Sequence, residues 1–393
     1  MAGRKALTAG SRATITHVAI IACCTGGMLA WAAVLAVGWH SEVFVQDWIV
    51  YHAAGTAYLQ GKLAVLFDAA RFTAYQHATL ARWYGGPVSL HPWLYPPTYL
   101  LVLAPLALLP FAVSYALFQL GTGLAAVAAL AWRGVGDGLD WRRGIMLLLF
   151  PATCINALTG QNALLTTALM VGGFRLLERR PLLGGAALGM LSVKPHFFLM
   201  VPVALIALRA WRALAACGIA ALMLALASAA VFGIEPWRLW LARTVLAGDP
   251  ALSAWFAETF LHGYGIYVCA VLLGAPASLA RWIQLAAALA AAGCVWTVFR
   301  RRAAAELRIA VVLVASVVAA PHVMAYDLAL VGAAVILLFV SAEAIGVFAT
   351  VLFGLVWALP MLRPVMVAGG RVLIPAALAG LLAYALGRAE AAR

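Results

Sequence analysis

Charge is what this 393-residue chain has least of: 10% of its residues are Asp, Glu, Lys or Arg and 66% are hydrophobic, where an ordinary soluble domain carries about 25% charged residues. Lysine is rarer still, with only Lys5, Lys62 and Lys194. The six cysteines (Cys23, Cys24, Cys154, Cys217, Cys269 and Cys294) lie in apolar stretches and form no CxxC pair. They read as small buried hydrophobes, so neither a disulfide framework nor a metal site is indicated. The chain has no DxD, HExxH or GxSxG motif and no Walker loop. Those absences leave nucleotide-sugar and metal chemistry unsignalled, argue against an ATPase, and predict no metal and no cofactor.

What remains is a succession of apolar segments long enough to span a bilayer, from residue 17 to residue 387. The pattern predicts an all-α polytopic membrane protein, one integral domain over residues 1–393. The formal charge of +13 is not a nucleic-acid signal, because the arginines come in short clusters between apolar segments. That is the pattern of cytoplasmic loops and of contact with anionic lipid. Residues 17–39 exceed the apolar region of about 7–15 residues in a signal peptide and read as a retained first span.

The arginine clusters set a topology. Arg4, Lys5 and Arg12 keep the N-terminus in the cytoplasm, and 17–39 crosses outward. Residues 40–96 form a large external loop with surface helices near 47–60 and 68–84, closed by Gly85-Gly86-Pro87. Prolines then interrupt 97–110, which reads as a re-entrant or half-inserted helix before a true crossing at 112–132. Crossings follow at 144–158, 163–177, 182–193, 197–208, 213–233, 281–299, 308–320, 324–341, 343–359 and 371–387. A second external loop spans 234–262, and 264–279 is unplaced. The expectation is about twelve transmembrane helices in the inner (plasma) membrane, with both termini cytoplasmic.

This map uses arginines alone, yet it sends Asp47, Gln161, Asn162, Lys194, His196 and His322 to one face, with seven of the eight histidines. On a helix starting at residue 47, Asp47, Tyr51, Gly55 and Tyr58 share a face, with Trp48 and His52 on the neighbouring one. An acid beside phenols could hold a sugar hydroxyl and remove its proton. The same residues also suit an interfacial helix capped by Asp47 and anchored by Trp48 and Tyr51. Lys194 interrupts the apolar run Leu191-Ser192-Val193-Lys194-Pro195-His196-Phe197. A cation there either meets a lipid phosphate or snorkels from a span end. Gln161-Asn162 either bonds sugar hydroxyls or caps a helix. His322 binds phosphate when protonated or orients the base, or is a helix-end histidine. Asp327 is placed to pair with a cation inside the bundle.

The order of these features resembles a known family. Asp47 in a loop after the first span, the Tyr95-Pro96-Pro97 and Ala104-Pro105-Leu106 turns, Gly160-Gln161-Asn162 and Lys194-Pro195 are similar to the GT-C glycosyltransferases of family GT87, the polyprenyl-phosphate-mannose-dependent α-mannosyltransferases of bacteria. The resemblance covers roughly residues 15–330. It implies a GT-C helical bundle whose first external loop carries the catalytic acid, and it maps that acid onto Asp47. It implies a sugar donor on polyprenyl phosphate, no metal, and a glycolipid or glycan acceptor at the outer leaflet. On that reading Tyr51, His52, Gln161, Asn162, Lys194, His196 and His322 line the substrate site, which faces the periplasm or exterior. A transporter or flippase of lipid-linked sugars is the alternative, and it needs polar residues along a path through the bundle. A polymerase or ligase of the O-antigen type usually has an arginine-rich external loop, and 234–262 offers only Arg238 and Arg243.

Overall fold

The computed structural model describes residues 25–33, 36, 45–83, 90–134, 137–245, 255, 263–341, 346–361 and 373–391. Most of the predicted first span, Glu42, the Gly85-Gly86-Pro87 closure and most of 246–262 lie outside the described residues. Among the described residues the regular elements are helices, and the one β pairing is an isolated bridge between Trp132 and Leu139.

The segment expected to form the first loop holds α1 (Gln46–Leu59) and α2 (Ala69–Leu80), followed by a short α3 (Leu100–Leu106) with Pro105 inside it. Next come α4 (Phe111–Ala131), α5 (Trp141–Leu148), α6 (Pro151–Thr159) and α7 (Ala163–Leu176). Beyond them are α8 (Pro181–Gly189), α9 (Pro195–Phe198), α10 (Met200–Ala207), α11 (Trp211–Phe232) and α12 (Glu235–Leu239). The chain continues through α13 (Ile266–Leu272), α14 (Ala277–Arg300), α15 (Ala305–Ala319), α16 (Ala329–Val340), α17 (Val347–Ala358) and α18 (Leu373–Ala391).

Helices α4, α11, α14 and α18 are long and apolar enough to cross a membrane, with spans of 18 to 24 residues. At 1.5 Å per residue they measure about 27–36 Å, matching a hydrocarbon layer of about 30 Å. The expected count of about twelve crossings thus meets four full-length helices and a set of shorter apolar ones. Proline is the physical reason. Pro151, Pro181 and Pro195 each stand at the first position of a new helix, where the missing N–H interrupts nothing. The apolar run 144–158 is therefore broken at Pro151, while 182–193, which follows Pro181, ends in a 3₁₀ turn at Met190–Val193. The unplaced segment 264–279 contains α13, which packs on α14. Helices stand near both places expected, as α1 and α2, but α1 is largely buried, with Trp48, Ile49, Tyr51, Ala53, Ala54 and Ala57 inside the protein rather than on a surface.

Two helices form the centre. In α15 the side chains from Ile309 to Ala319 are buried, and in α16 those from Ala329 to Leu338; a helix buried all round is a core helix. By contrast α11 buries only Ala213, Cys217 and Ser228 and exposes Ile219, Leu222, Met223 and Leu226, the surface expected against lipid. Helix α8 meets α11 through Gly185 and Gly189, where an added Cβ would collide with the carbonyls of Ala213 and Cys217. Small residues four apart allow this backbone contact without a hydrophobic driving force.

The loops lie over one end of the bundle. Asp68 caps α2, accepting from the Arg71 N–H at 3.0 Å, and pairs with Arg243 at 3.7 Å. Trp240 Nε1 donates to the Leu94 carbonyl at 3.2 Å. The segment after α11 is thus tied to the segments around α2 and before α3.

Candidate active site

The site begins where α1 meets the turn between α6 and α7. Helix α6 ends at Gly160, whose φ of +81° is left-handed. A Cβ there would lie 2.5 Å from Trp48 Cβ and 3.1 Å from its backbone nitrogen, so a glycine is required on both counts. Val45 N–H donates to the Leu158 carbonyl at 2.8 Å, and Val45 itself takes a φ of +52°. A β-branched residue in that region stores about 1–3 kcal/mol of strain, a feature that clusters at functional sites. Together these contacts set Asp47, in the first turn of α1, against Thr159 and Gln161.

Gln161 is a hub. Its Oε1 accepts from Tyr51 Oη at 2.5 Å, Tyr95 Oη at 3.2 Å and the Asn162 N–H at 3.1 Å. Its Nε2 donates to Tyr326 Oη at 3.1 Å. The Tyr51 and Tyr95 hydroxyls are 2.7 Å apart. The rings of Tyr51, Tyr95, Tyr99 and Trp93 pack edge-to-face or tilted around this point, and Tyr51, Tyr99 and Trp93 are almost fully buried.

Asp47 is half-buried. Desolvation pushes its carboxyl up to about 6, while the side chains of Gln161 and Thr159, within hydrogen-bonding reach, and the charge of Lys194 pull it down. A carboxylate with that value is still ionised at neutral pH, yet basic enough to accept a proton in a reaction.

Lys194 does not snorkel. It is 3% exposed, and its Nζ donates to Asp327 Oδ1 at 2.7 Å and to Asn162 Oδ1 at 3.0 Å. Nζ also lies 5.0 Å from the Phe197 ring centroid and 5.6 Å from that of Tyr326. Asp327 is 2% exposed, and its Oδ2 accepts the Met324 N–H at 3.0 Å. The cation that Asp327 was expected to find is thus Lys194, from 133 residues away. An ammonium has three donors and two are used here, so one remains for a ligand.

The structure brings Asp47, Tyr51, Gln161, Asn162 and Lys194 together. His196 and His322 neighbour Lys194 and each other. The His196 ring leans on Phe197 at 4.4 Å, and its Nε2 is buried without a hydrogen-bond partner. His322 lies in the turn after Pro321, where burial pushes its imidazole down to about 4 against the pull of Asp327. His52 stands apart: its Nε2 is 3.2 Å from the Leu109 carbonyl and its ring packs on Phe111. That places His52 on the face of α1 that meets the α3–α4 connection, and no hydrogen bond joins it to Gln161.

Sequence reasoning missed Tyr95, Tyr99 and Tyr326 as site residues and did not see the amides Gln119 and Asn156 behind Gln161. Gln119 Nε2 donates to the Gln161 carbonyl at 3.0 Å, and Asn156 Nδ2 to Gln119 Oε1 at 2.9 Å. One available signal was a glutamine in the middle of the apolar helix α4, since a buried polar group needs a partner.

Compared with known families, the chain matches the profile of glycosyltransferase family 87 over residues 93–325. That stretch holds Tyr95, Gln161, Asn162, Lys194, His196 and His322; Asp47 and Tyr51 precede it, and Tyr326 and Asp327 follow directly. No curated protein and no solved structure matches the chain.

Proposed function

The chain belongs to glycosyltransferase family 87, and on that premise we propose that it transfers mannose from a polyprenyl-phosphate donor to a hydroxyl of a glycolipid or glycan, at the external face of the plasma membrane. The observation that carries this reading is the convergence of a half-exposed carboxylate, Asp47, with the Lys194–Asp327 pair across Gln161. A base and a charged anchor within one cluster suit an attack on one side of a sugar and a phosphate departure on the other.

The acceptor oxygen bonds to the anomeric carbon as the bond from that carbon to the phosphate oxygen breaks. Asp47 takes the acceptor's hydroxyl proton, and the bonding electrons leave with the polyprenyl phosphate. The third N–H of Lys194 and the unpartnered Nε2 of His196, in its protonated tautomer, face the growing phosphate charge, where fixed donors in a dry site are most effective. His322 contributes as a neutral donor or acceptor. A single displacement inverts the anomeric centre, so a β-linked donor gives an α-linked product. The support for about twelve crossings is the shorter apolar helices at 163–176, 181–193, 195–207, 325–340 and 347–361, which overlap predicted spans.

The test uses purified protein in liposomes with radiolabelled polyprenyl-phosphate-mannose and a lipid extract as acceptor. Label is expected to pass into a new lipid or glycan product, with release of an equal amount of polyprenyl phosphate. Donor that crosses the bilayer intact, without cleavage, would establish the flippase alternative instead.

A further inference from the structure

We infer that Tyr326 reads the transferred sugar, its phenol donating its one proton to a sugar hydroxyl, an inference that rests on the transferase reading proposed above. The orientation of the Gln161 amide fixes what this phenol can do. A backbone N–H can only donate, and that of Asn162 lies 3.1 Å from Gln161 Oε1. The amide oxygen therefore faces Asn162, and the NH₂ group faces Tyr326 Oη at 3.1 Å. An amide NH₂ can only donate, so Tyr326 accepts there through a lone pair. Its own proton is not used in that bond.

The neighbours do not take that proton. Lys194 Nζ, 5.6 Å from the Tyr326 ring centroid, is itself a donor. Asp327, the next residue, has Oδ1 on Lys194 at 2.7 Å and Oδ2 on the Met324 N–H at 3.0 Å. Among the described residues, the bond from Gln161 is the one hydrogen bond of the Tyr326 hydroxyl. Exposure then separates Tyr326 from the phenols around it. Tyr51 is 1% exposed, and its proton is spent on Gln161 Oε1 at 2.5 Å. Tyr95 is partly exposed, as Tyr326 is, but its proton goes to Gln161 Oε1 at 3.2 Å or to Tyr51 Oη at 2.7 Å. Tyr326 is left as a phenol that a ligand can reach and that has a proton to give.

Its place selects the sugar as the recipient. Through its oxygen Tyr326 meets Gln161, which also takes Tyr51 from α1, the helix of Asp47. Through its ring and its neighbour Asp327 it meets Lys194. In the displacement proposed above the acceptor arrives at Asp47 and the phosphate leaves beside Lys194, so the sugar lies between them, where Tyr326 stands. The backbone there is fixed. The 3₁₀ turn Ala325–Leu328 is closed by Asp327 on the Met324 N–H, and the Tyr264 N–H donates to the Val323 carbonyl at 2.7 Å. A donor held this firmly discriminates well, because an analogue that lacks the matching oxygen leaves it unpaired.

The experiment measures kcat/KM for radiolabelled polyprenyl-phosphate-mannose and for its monodeoxy analogues, one for each free hydroxyl, with the lipid extract as acceptor. Wild type, Tyr326→Phe and Tyr95→Phe are compared, each checked for a cooperative thermal transition. Phenylalanine keeps the ring beside Lys194 and removes only the hydroxyl. Dividing wild type by variant for each donor cancels the effect of a deoxy carbon on anomeric reactivity. With the mannose donor Tyr326→Phe is expected to lose about ten- to a hundredfold. It should match the wild type with one deoxy donor, the one that lacks the hydroxyl it reads, and keep its loss with the others. Tyr95→Phe should show one ratio across the whole set. An equal loss for Tyr326→Phe with every donor would put the phenol on the phosphate or in the fold alone, overturning the inference while leaving the transferase reading intact. Competition with the radiolabelled donor on the wild type decides the matter if Tyr326→Phe does not fold. A deoxyfluoro analogue at the read position should bind better than the deoxy one, because fluorine can accept a hydrogen bond but not donate one; no such position would overturn the inference. A wild type that transfers sugar from none of the donors would overturn the transferase reading and the inference with it.

Discussion

Removing one partner of the Lys194–Asp327 pair perturbs the protein in a way the structure makes calculable. The two charges are 2.7 Å apart, with side chains 4% and 2% exposed. At an effective dielectric of about 20 their attraction is about 6 kcal/mol, most of it offset by desolvation of both groups. Lys194→Met leaves the Asp327 carboxylate buried with only the Met324 N–H; Asp327→Asn leaves the ammonium with Asn162 and two ring faces. Each single change is expected to cost about 3–5 kcal/mol, whereas the double change Lys194→Met with Asp327→Asn falls close to wild type, because no unpaired charge remains. Thermal unfolding of all four proteins in one detergent measures the coupling. The double variant should melt near wild type yet transfer no sugar, since the donor facing the leaving phosphate is gone. Single variants that melt like wild type would refute the pairing. A double variant with full turnover would show that Lys194 has no part in the chemistry.

Gly160→Ala should lower both stability and turnover, through a positive φ costing about 1–2 kcal/mol in a residue with Cβ and a clash with Trp48 that moves Asp47; melting temperature and kcat report the two effects separately. His52→Gln should leave turnover at the wild-type level, because His52 faces Leu109 and Phe111, and a loss of donor affinity would return it to the site. Cysteine at the exposed Arg238 should label with a membrane-impermeant reagent from outside cells, and cysteine at the exposed Arg142 should not; the reverse pattern would invert the topology. Asp47→Asn should also change the pH dependence of stability. The folded-state value of Asp47 lies above the usual carboxylate range, so its contribution in the wild type is fully present below about 4 and lost as pH rises through about 6. The asparagine variant lacks that loss, and its melting temperature relative to wild type should rise between pH 5 and pH 8.

Much of the site's location was legible in the sequence, and less of its wiring. Arginine clusters alone brought Gln161, Asn162, Lys194, His196 and His322 to one face, because charge placement relative to a membrane is a one-dimensional property of the chain. The helix that carries Asp47 followed from local pattern in the same way, but its burial did not. The partners did not, since they join residues far apart in sequence: Tyr51 with Gln161 across 110 positions and Lys194 with Asp327 across 133. The contacts of His52 with Leu109 and Phe111 were not legible either, because a helical wheel gives neighbouring faces but not which neighbour each one meets. Helix boundaries inside the predicted spans were not legible at Pro151, where hydropathy continues through 144–158 while the hydrogen-bonded ladder restarts.

The most direct measurement is sugar transfer from radiolabelled polyprenyl-phosphate-mannose by purified wild-type and Asp47→Asn protein, side by side at pH 7.5 in the same liposomes. Asparagine keeps the shape of the side chain and removes the proton acceptor, and a general base contributes about 10²–10⁴-fold. The wild type is expected to form product, and the variant, with its fold intact, to fall by that factor. Near-normal transfer by Asp47→Asn would contradict the assignment of Asp47 as the base and with it the mechanism built on this site.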